Sequence, residues 1–337
     1  MRPFPLLFLL FSAGLFLHAQ EAKLIPLDLQ VMTVMDGEDS IHVMTTASDT
    51  APAKPLLLFF QGSLPRPLFI ETPQGPMGVF PFDHRKLARA FHLVIIGKPG
   101  LPWYASSEQL DGRYAYLDPN TGTIPLSYLH QHFADTYLRR ARKVLDTLLT
   151  QSWSQAEKLV VAGHSEGAKI ACMFAAQDER VSHLAFLGGN PQGRMDQLIR
   201  EKRIEALQGR LSHEEAQKEI DSLYKIWADI QQSPHRTDLF WGDSYAAWAS
   251  FSRPLWRELL ALDIPIFVAY GSRDIGAQSC DLLPLLFHEA GKKNLLMKVY
   301  PGLDHNFFGQ KPDGEPDYEA YNWDKVADEM AAWAKAQ

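Results

Sequence analysis

Short apolar runs alternate with longer amphipathic stretches along most of the chain. A continuous apolar run bounded by Gly, Pro or Asp is typical of a strand buried on both faces, whereas apolar positions three or four residues apart are typical of a helix covering a sheet. The pattern predicts strands at residues 24–34, 41–46, 55–60, 93–96, 158–162, 181–187, 264–270 and 294–300. It also predicts a long amphipathic helix at residues 127–149 and a terminal helix at residues 321–336.

The order of these elements predicts the architecture. Buried strands that alternate with helices are typical of an α/β fold with a doubly wound, mostly parallel sheet. The alternation stops at Arg194, where a charged helical stretch is followed by an aromatic one, and it resumes after Leu262. We therefore expect a core built from residues 20–193 and 263–337, with residues 194–262 inserted as a helical cap.

Residues 1–19 have the features of a secretory signal peptide. Arg2 supplies a positive charge, residues 4–16 are almost wholly apolar, and Ala19 is a small residue at the predicted cleavage site. The apolar run is shorter than a typical membrane span. We expect cleavage after Ala19, export to the periplasm or the medium, and no stable membrane insertion of the mature chain. An uncleaved N-terminal anchor is the alternative.

Charge and cysteine content argue against several classes of function. The formal net charge is −7 and no cluster of Lys and Arg occurs, which disfavours nucleic acid or an anionic membrane as a partner. Cys172 and Cys280 are expected to be free thiols, although an oxidising compartment permits a disulfide. Neither an H-E-x-x-H motif nor a Cys/His cluster occurs, so we expect no catalytic metal, and no other cofactor.

Residues 160–169 read Val-Val-Ala-Gly-His-Ser-Glu-Gly-Ala-Lys and join a predicted strand to a segment of helical character. The G-x-S-x-G spacing in a strand–turn–helix context predicts a nucleophile elbow. Such a turn is too sharp for side chains beside the serine, which accounts for Gly163 and Gly167. It would present Ser165 at the end of the strand. The alternative is an ordinary turn serine.

A serine that takes part in acyl transfer needs a base to accept its proton and a carboxylate to orient that base. Asp274 and His305 each follow the end of a predicted strand, as Ser165 does. Because the carboxyl ends of parallel strands lie along one edge of a sheet, the three residues can converge there. Asp243 and Asp304 are the alternatives for the acid.

Other basic residues near these segments are interpreted as structural. His164 is adjacent to the serine in the turn, so we expect it to pack and form hydrogen bonds rather than act as the base. His130 and His132 lie two apart on the predicted helix and are expected at the surface. Lys98 follows a predicted strand; it is expected to be solvated, although it could meet a carboxylate or a leaving group.

Three motifs, in the chain order Ser, Asp, His, resemble those of the α/β-hydrolase superfamily, and within it the secreted bacterial serine esterases and serine aminopeptidase-like hydrolases. They are Gly-His-Ser-Glu-Gly at residues 163–167, Gly-Ser-Arg-Asp at 271–274 and Gly-Leu-Asp-His at 302–305. The resemblance covers residues 56–337 outside the cap. It implies that Ser165, Asp274 and His305 form a catalytic triad.

An oxyanion intermediate needs two backbone N–H donors. One is expected from Glu166, the residue after the nucleophile, and the other from the turn after the strand at residues 55–60. Relatives often carry His-Gly followed by the donor in this turn, whereas this chain has Gln61-Gly62-Ser63. Ser63 is therefore the matched donor, and Gln61 replaces the usual histidine.

Aromatic residues suggest where a substrate could lie. Trp241, Tyr245 and Trp248 are spaced to share one helical face, so they either pack the cap onto the core or form an aromatic roof over Ser165. Trp103, in an aromatic loop after Gly100, is a further candidate. Aromatic surfaces suit aryl esters, sugar rings and apolar side chains alike.

Three functions agree with the sequence. The first is an exported hydrolase that cleaves a carboxylic ester through an acyl-enzyme on Ser165. The second is a serine peptidase or aminopeptidase acting on a short peptide, which would need an acidic pair in the cap to bind a free amino terminus. The third is a non-catalytic exported binding protein on the same scaffold.

Overall fold

The computed structural model describes residues 28–73 and 75–336. The predicted signal peptide lies outside these residues, as do positions 24–27 of the first predicted strand. The strands of the described part, in chain order, are β1 Gln30–Asp36, β2 Asp39–Thr45, β3 Lys54–Phe60, β4 Phe69–Thr72, β5 Gly75–Gly78, β6 His92–Ile96, β7 Tyr104–Ser106, β8 Ser154–His164, β9 His183–Leu187, β10 Leu239–Phe240, β11 Asp243–Ser244, β12 Ile266–Gly271, β13 Leu295–Tyr300, β14 Phe308–Gln310 and β15 Pro316–Tyr321.

The helices of the same part are 4 to 20 residues long. They are α1 His84–Leu87, α2 Leu126–Leu129, α3 Ala134–Leu148, α4 Glu166–Ala175, α5 Arg194–Leu207, α6 His213–Gln232, α7 Tyr245–Ser252, α8 Trp256–Ala261, α9 Ala277–Cys280, α10 Leu283–Glu289 and α11 Trp323–Ala336.

Eight of the strands form one sheet in the order β1-β2-β6-β3-β8-β9-β12-β13. The pairs from β6 to β13 are parallel, and only β1–β2 and β2–β6 are antiparallel. The strand order reverses between β3 and β8, and such a switch point opens a crevice at the carboxyl ends of the two strands. The predicted doubly wound, mostly parallel sheet is confirmed.

Alternate residues of the buried strands face two apolar clusters, one on each side of the sheet. In β3, Leu56, Leu58 and Phe60 face the cluster that includes α3 and α4, whereas Leu57 and Phe59 face the cluster that includes α11. A strand covered on both faces has no solvent-exposed side, which explains its continuous apolar sequence.

The helix predicted at residues 127–149 is broken. The chain forms α2, passes through a turn at residues 130–133, and starts again as α3. Phe133 precedes α3 in an extended conformation, with φ −153° and ψ 158°. The amphipathic pattern of residues 134–148 dominated the prediction, and residues 130–133 contain neither Gly nor Pro to signal a break.

The segment between β9 and β12 contains α5, α6, the β10–β11 hairpin, α7 and α8. Two further pieces lie outside the main sheet. Strands β5, β4 and β7 form a small sheet where the sequence predicted loops, and β14 pairs with β15 between His305 and α11. Across residues 28–73 and 75–336, none of the helices combines the length and apolarity that a membrane crossing requires.

Candidate active site

Ser165 lies at the sharp turn between β8 and α4, with φ 59° and ψ −118°. A serine at positive φ is strained, so the surrounding structure has to hold it in place. A Cβ added to Gly163 would collide with the backbone of Gly167, and one added to Gly167 would collide with the carbonyl of Phe60. The two glycines therefore allow β8, α4 and the end of β3 to pack closely around the turn.

His305 connects Ser165 to Asp274. Its Nε2 lies 2.9 Å from Oγ of Ser165, and its Nδ1 lies 2.7 Å from Oδ2 of Asp274. Because an ionised carboxylate is only an acceptor, Nδ1 carries the proton and Nε2 of the neutral ring accepts from the serine hydroxyl. The other carboxylate oxygen of Asp274 accepts from the backbone N–H of Gly276 at 2.8 Å. The structure thus brings the three predicted residues together at one edge of the sheet.

Burial acts against the charged forms of both Asp274 and His305, but the contact between them outweighs it. The hydrogen bond and the charge of His305 hold the pKa of Asp274 below its usual value. Reciprocally, the hydrogen bond and charge of Asp274 raise the pKa of His305 above 6.5. The alternative acids have other partners: Asp304 accepts from the backbone N–H groups of Asn306 and Phe308.

His164 is a buried neighbour of His305. Its Nε2 donates to the main-chain carbonyl of His305 at 2.9 Å, and the two rings have centroids 4.9 Å apart. Burial and the nearby His305 lower the pKa of His164 to about 3, so its ring is neutral at ordinary pH. The packing and hydrogen-bonding role predicted for His164 is confirmed.

The turn at Gln61-Gly62-Ser63 lies against the serine. A Cβ added to Gly62 would be 3.6 Å from Cβ of Ser165. Ser63 is exposed, and its carbonyl accepts from the hydroxyl of Tyr128 at 2.9 Å. Among the described residues, neither side-chain atom of the Gln61 amide has a hydrogen-bond partner.

Glu166, the residue after the serine, is only 4% exposed. Its carboxylate forms an ion pair with Arg194, the first residue of α5, and one oxygen lies 3.3 Å from Nε2 of His132. Burial alone would raise the pKa of Glu166, but the charges of His132 and Arg194 hold it far below its usual value. Arg194 also donates to Asp243 at 2.9 Å. A buried network of Glu166, Arg194 and Asp243 therefore lies directly behind Ser165.

Two predictions about basic side chains are wrong here. His132 is 3% exposed instead of lying at the surface, because the turn between α2 and α3 directs it inward; His130 is exposed as predicted. Lys98 is 4% exposed instead of solvated, and its Nζ lies over the rings of Tyr128 and Tyr137. Burial lowers the pKa of Lys98 to about 8.

The predicted aromatic face is only partly as expected. Trp241 lies in the turn of the β10–β11 hairpin, with φ 51°, and α7 begins only at Tyr245, so the three residues do not share a helical face. Trp241 nevertheless stacks on Trp248 with centroids 5.0 Å apart, and Arg194 lies 5.2 Å from the Trp248 ring centre. Tyr245 is buried, and its hydroxyl donates to Asp229 at 2.9 Å.

Trp103 contacts the core rather than these residues. Its ring packs edge-on against Phe69, with centroids 6.2 Å apart, and also against His42 and Tyr104. Cys172 and Cys280 are buried free thiols, as predicted. Within residues 28–73 and 75–336, no group of three or more His, Cys, Asp or Glu residues is arranged to hold a metal ion.

Sequence reasoning missed three residues around Ser165: Tyr128, His132 and Arg194. Tyr128 and His132 belonged to a helix whose break had no sequence signal. In the sequence, Arg194 marks only the point where the composition changes. The one available signal was Glu166, since an acidic residue in a tight turn between two apolar segments needs a cationic or hydrogen-bonding partner if it is buried.

Comparison with known proteins shows the fold. No family model matches this sequence, and no curated protein matches it either. Solved structures similar to this chain include the 2,6-dihydroxy-pseudo-oxynicotine hydrolase, at 14% identity and a TM-score of 0.53, covering 96% of this chain and 72% of that one. A bacterial membrane phospholipase A is similar at 14% identity and a TM-score of 0.50, covering 96% of this chain and 91% of that one.

The acylaminoacyl peptidase of Pyrococcus horikoshii is similar at 10% identity and a TM-score of 0.50. The match covers 86% of this chain, which spans 39% of the length of that enzyme. These similarities, together with the strand order and the elbow between β8 and α4, lead to one conclusion: the chain has the α/β-hydrolase fold.

Proposed function

We propose that this chain is an exported serine hydrolase that cleaves a carboxylic ester through an acyl-enzyme on Ser165. The observation that carries the proposal is the continuous hydrogen-bonded arrangement of Ser165, His305 and Asp274, with contacts of 2.9 and 2.7 Å. A hydroxyl, an imidazole and a buried carboxylate in this order are the parts that acyl transfer needs.

The proposed reaction has two halves. His305 takes the proton of Ser165 through Nε2 as Oγ attacks the acyl carbonyl, and the resulting imidazolium is stabilised by Asp274, which stays ionised. His305 then gives this proton to the leaving alkoxide as the ester bond breaks. In the second half, His305 deprotonates a water that attacks the acyl-enzyme, and the proton returns to Oγ of Ser165 as the acid leaves.

The negative charge on the carbonyl oxygen needs donors in both halves. We assign them to the backbone N–H groups of Ser63 and Glu166, because the turn containing Gly62 lies against Ser165 and Glu166 follows it in the chain. The removal of one such donor typically costs about 3 kcal/mol of transition-state stabilisation. The substitution of Gln61 for the histidine common in relatives leaves backbone donation possible.

The substrate is proposed to be a small ester with an aromatic or apolar part. Trp241 is 49% exposed and stacks on Trp248, so it offers an open aromatic face in the segment that is linked to Glu166 through Arg194. An aminopeptidase would need a free acidic group for the substrate ammonium. Asp243, which adjoins this network, is already paired with Arg194.

The first experiment is active-site labelling. The mature chain, residues 20–337, is treated with a fluorophosphonate and the adduct is located by peptide mass spectrometry. We expect one adduct on Ser165, its loss in Ser165→Ala, and full labelling in Ser222→Ala, a control at an exposed serine of α6. An unlabelled protein, or equal labelling of Ser165→Ala, would favour a non-catalytic binding protein instead.

A second experiment separates bond types. Hydrolysis of p-nitrophenyl esters of increasing acyl length is compared with hydrolysis of aminoacyl p-nitroanilides under the same conditions. We expect kcat/KM to be larger for the esters; a preference for the anilides would support the peptidase alternative. Export is tested separately, by expression of the full chain and N-terminal sequencing of the processed product, which should begin at Gln20.

A further inference from the structure

Tyr128 links the turn at Ser63 to a buried histidine. Its hydroxyl donates to the carbonyl of Ser63 at 2.9 Å and lies 2.9 Å from Nδ1 of His132. The two rings are stacked, with centroids 4.7 Å apart and planes inclined by 25°. The position of the Ser63 peptide therefore depends on where α2 and the following turn place these two side chains.

His132 continues this link to the other side of the site. Its Nε2 lies 3.3 Å from Oε1 of Glu166, with both side chains only 3% exposed. That distance gives a strong electrostatic contact at low dielectric, even though the alignment falls short of a hydrogen bond. The second carboxylate oxygen of Glu166 is bound by Arg194, whose other nitrogen binds Asp243.

A single chain of contacts thus runs from the exposed Ser63 through the buried side chains of Tyr128 and His132 to Glu166. Its two ends are the residues whose backbone N–H groups we assign to the oxyanion hole. We propose that His132 and Tyr128 are positioning residues that fix the separation and direction of these two N–H groups. This inference rests on the proposed function, since it concerns the same reaction.

The physical reason is preorganisation. Oxyanion donors act strongly only when they are held at the correct positions before the charge develops, and a displacement of about half an ångström is already harmful. Ser63 lies in an exposed turn, which is not rigid by itself. A hydrogen bond to its carbonyl from a buried tyrosine restricts one of the two peptide planes that flank Ser63. The side chain of Glu166, at the start of α4, is restrained by His132 at 3.3 Å and by Arg194.

The test compares two tyrosines that touch the same histidine. Tyr128→Phe removes the hydroxyl that binds Ser63, whereas Tyr137→Phe removes a hydroxyl that lies 2.7 Å from Nδ1 of His132 and leaves the hydroxyl of Tyr128 in place. Each variant of the mature chain is assayed with the best p-nitrophenyl ester and with butylboronic acid, whose adduct on the serine imitates the tetrahedral intermediate.

We expect Tyr128→Phe to lower kcat by about 10- to 100-fold with KM changed less than about threefold, and to weaken boronate inhibition by a similar factor. Tyr137→Phe should retain kcat within about threefold. His132→Asn, which shortens the side chain and breaks the approach to Glu166, should resemble Tyr128→Phe. Thermal unfolding shows whether each variant is folded. If either Tyr128→Phe or His132→Asn does not fold, the variant that does fold decides whether the positioning role is correct.

Each result has one meaning. If the wild-type chain hydrolyses the ester and folded Tyr128→Phe and His132→Asn keep both kcat and boronate affinity, the positioning role is wrong while the proposed function stands. Equal losses in Tyr128→Phe and Tyr137→Phe would also overturn it, since they would reflect general disturbance of the cluster. If the wild-type chain neither hydrolyses esters nor is labelled at Ser165, the proposed function fails and this inference fails with it.

Discussion

The imidazole of His164 donates a hydrogen bond to the main-chain carbonyl of His305, with 2.9 Å between nitrogen and oxygen. The residue before the proposed nucleophile thereby holds the loop that carries the proposed base. The loop is constrained from a second side by Phe307, which is fully buried at φ 58° and packs against the ring of Trp323 with centroids 4.9 Å apart. These two contacts act together with the hydrogen bond to Asp274 to hold His305 beside Ser165.

The first prediction concerns His164→Phe. A phenyl ring replaces the imidazole, so the aromatic packing is kept while the hydrogen bond to His305 is lost. We expect kcat to fall by about tenfold because the proposed base is less well placed. Initial rates with a p-nitrophenyl ester provide the measurement, and His130→Asn, at an exposed position of the turn after α2, serves as the control. Unchanged kcat in His164→Phe would show that the loop keeps its position without this bond.

The second prediction concerns pH. The proposed base acts in its neutral form, so kcat/KM should rise with pH through the pKa of His305, which Asp274 raises above 6.5. We therefore expect an acidic limb with its midpoint above pH 6.5, measured by the pH dependence of kcat/KM for an ester. His164, with its pKa near 3, should contribute nothing to this limb. A midpoint well below 6.5 would contradict the assignment of His305.

The third prediction concerns Asp274→Asn. Loss of the charge removes the interaction that raises the pKa of His305, so the acidic limb should move to lower pH. The asparagine also favours the wrong tautomer of the ring, and kcat should fall by about 10³- to 10⁴-fold. Asp304→Asn, at the alternative acid, tests specificity: a comparable loss there would point to Asp304 as the orienting carboxylate.

The fourth prediction concerns Gly167→Ala. The added methyl group would collide with the carbonyl of Phe60 and push α4 away from the end of β3. We expect a destabilisation of about 2 kcal/mol or more, or loss of soluble protein, measured by urea unfolding. Gly112→Ala is the matched control, since a Cβ there meets nothing within 4 Å. Equal stabilities of the two variants would mean that the elbow relaxes easily.

The fifth prediction concerns Lys169, a buried residue of α4 whose Nζ donates to the carbonyl of Phe251 at 2.9 Å. Burial, and then the charge of Arg194, lower its pKa to about 7 from a usual value of 10.5. Between these values the unfolded chain binds more protons than the folded one, so this residue makes stability rise with pH, by at most about 1.4 kcal/mol per pH unit.

The measurement is the free energy of unfolding of Lys169→Met and of the wild-type chain between pH 7 and 9. We expect the stability of the variant relative to the wild type to be greatest at pH 7 and to decrease toward pH 9. The substitution removes the free-energy cost of burying Lys169, and this cost becomes smaller as the pH rises toward the usual pKa of lysine. A difference that does not depend on pH would show that Lys169 titrates at its ordinary value when folded.

Much of the fold was predictable because its signals are local. Strands buried on both faces give continuous apolar runs, as in β3. The elbow gives glycines at residues 163 and 167, where a Cβ would collide with neighbouring backbone. The chain order of Ser165, Asp274 and His305 could be read without coordinates. The break between α2 and α3 could not, because no residue in it marks a helix end and tertiary contacts override helix propensity.

The sequence by itself determined the α/β architecture and the three residues of the proposed triad, since each depends on a pattern within a few neighbouring positions. Only the tertiary structure decided that His132 and Lys98 are buried, that Trp241 lies in a hairpin turn, and that Glu166 is held between His132 and Arg194. Burial and charge pairing depend on which distant segments fold against each other, and that information lies in the packing of the whole chain rather than in any one stretch of it.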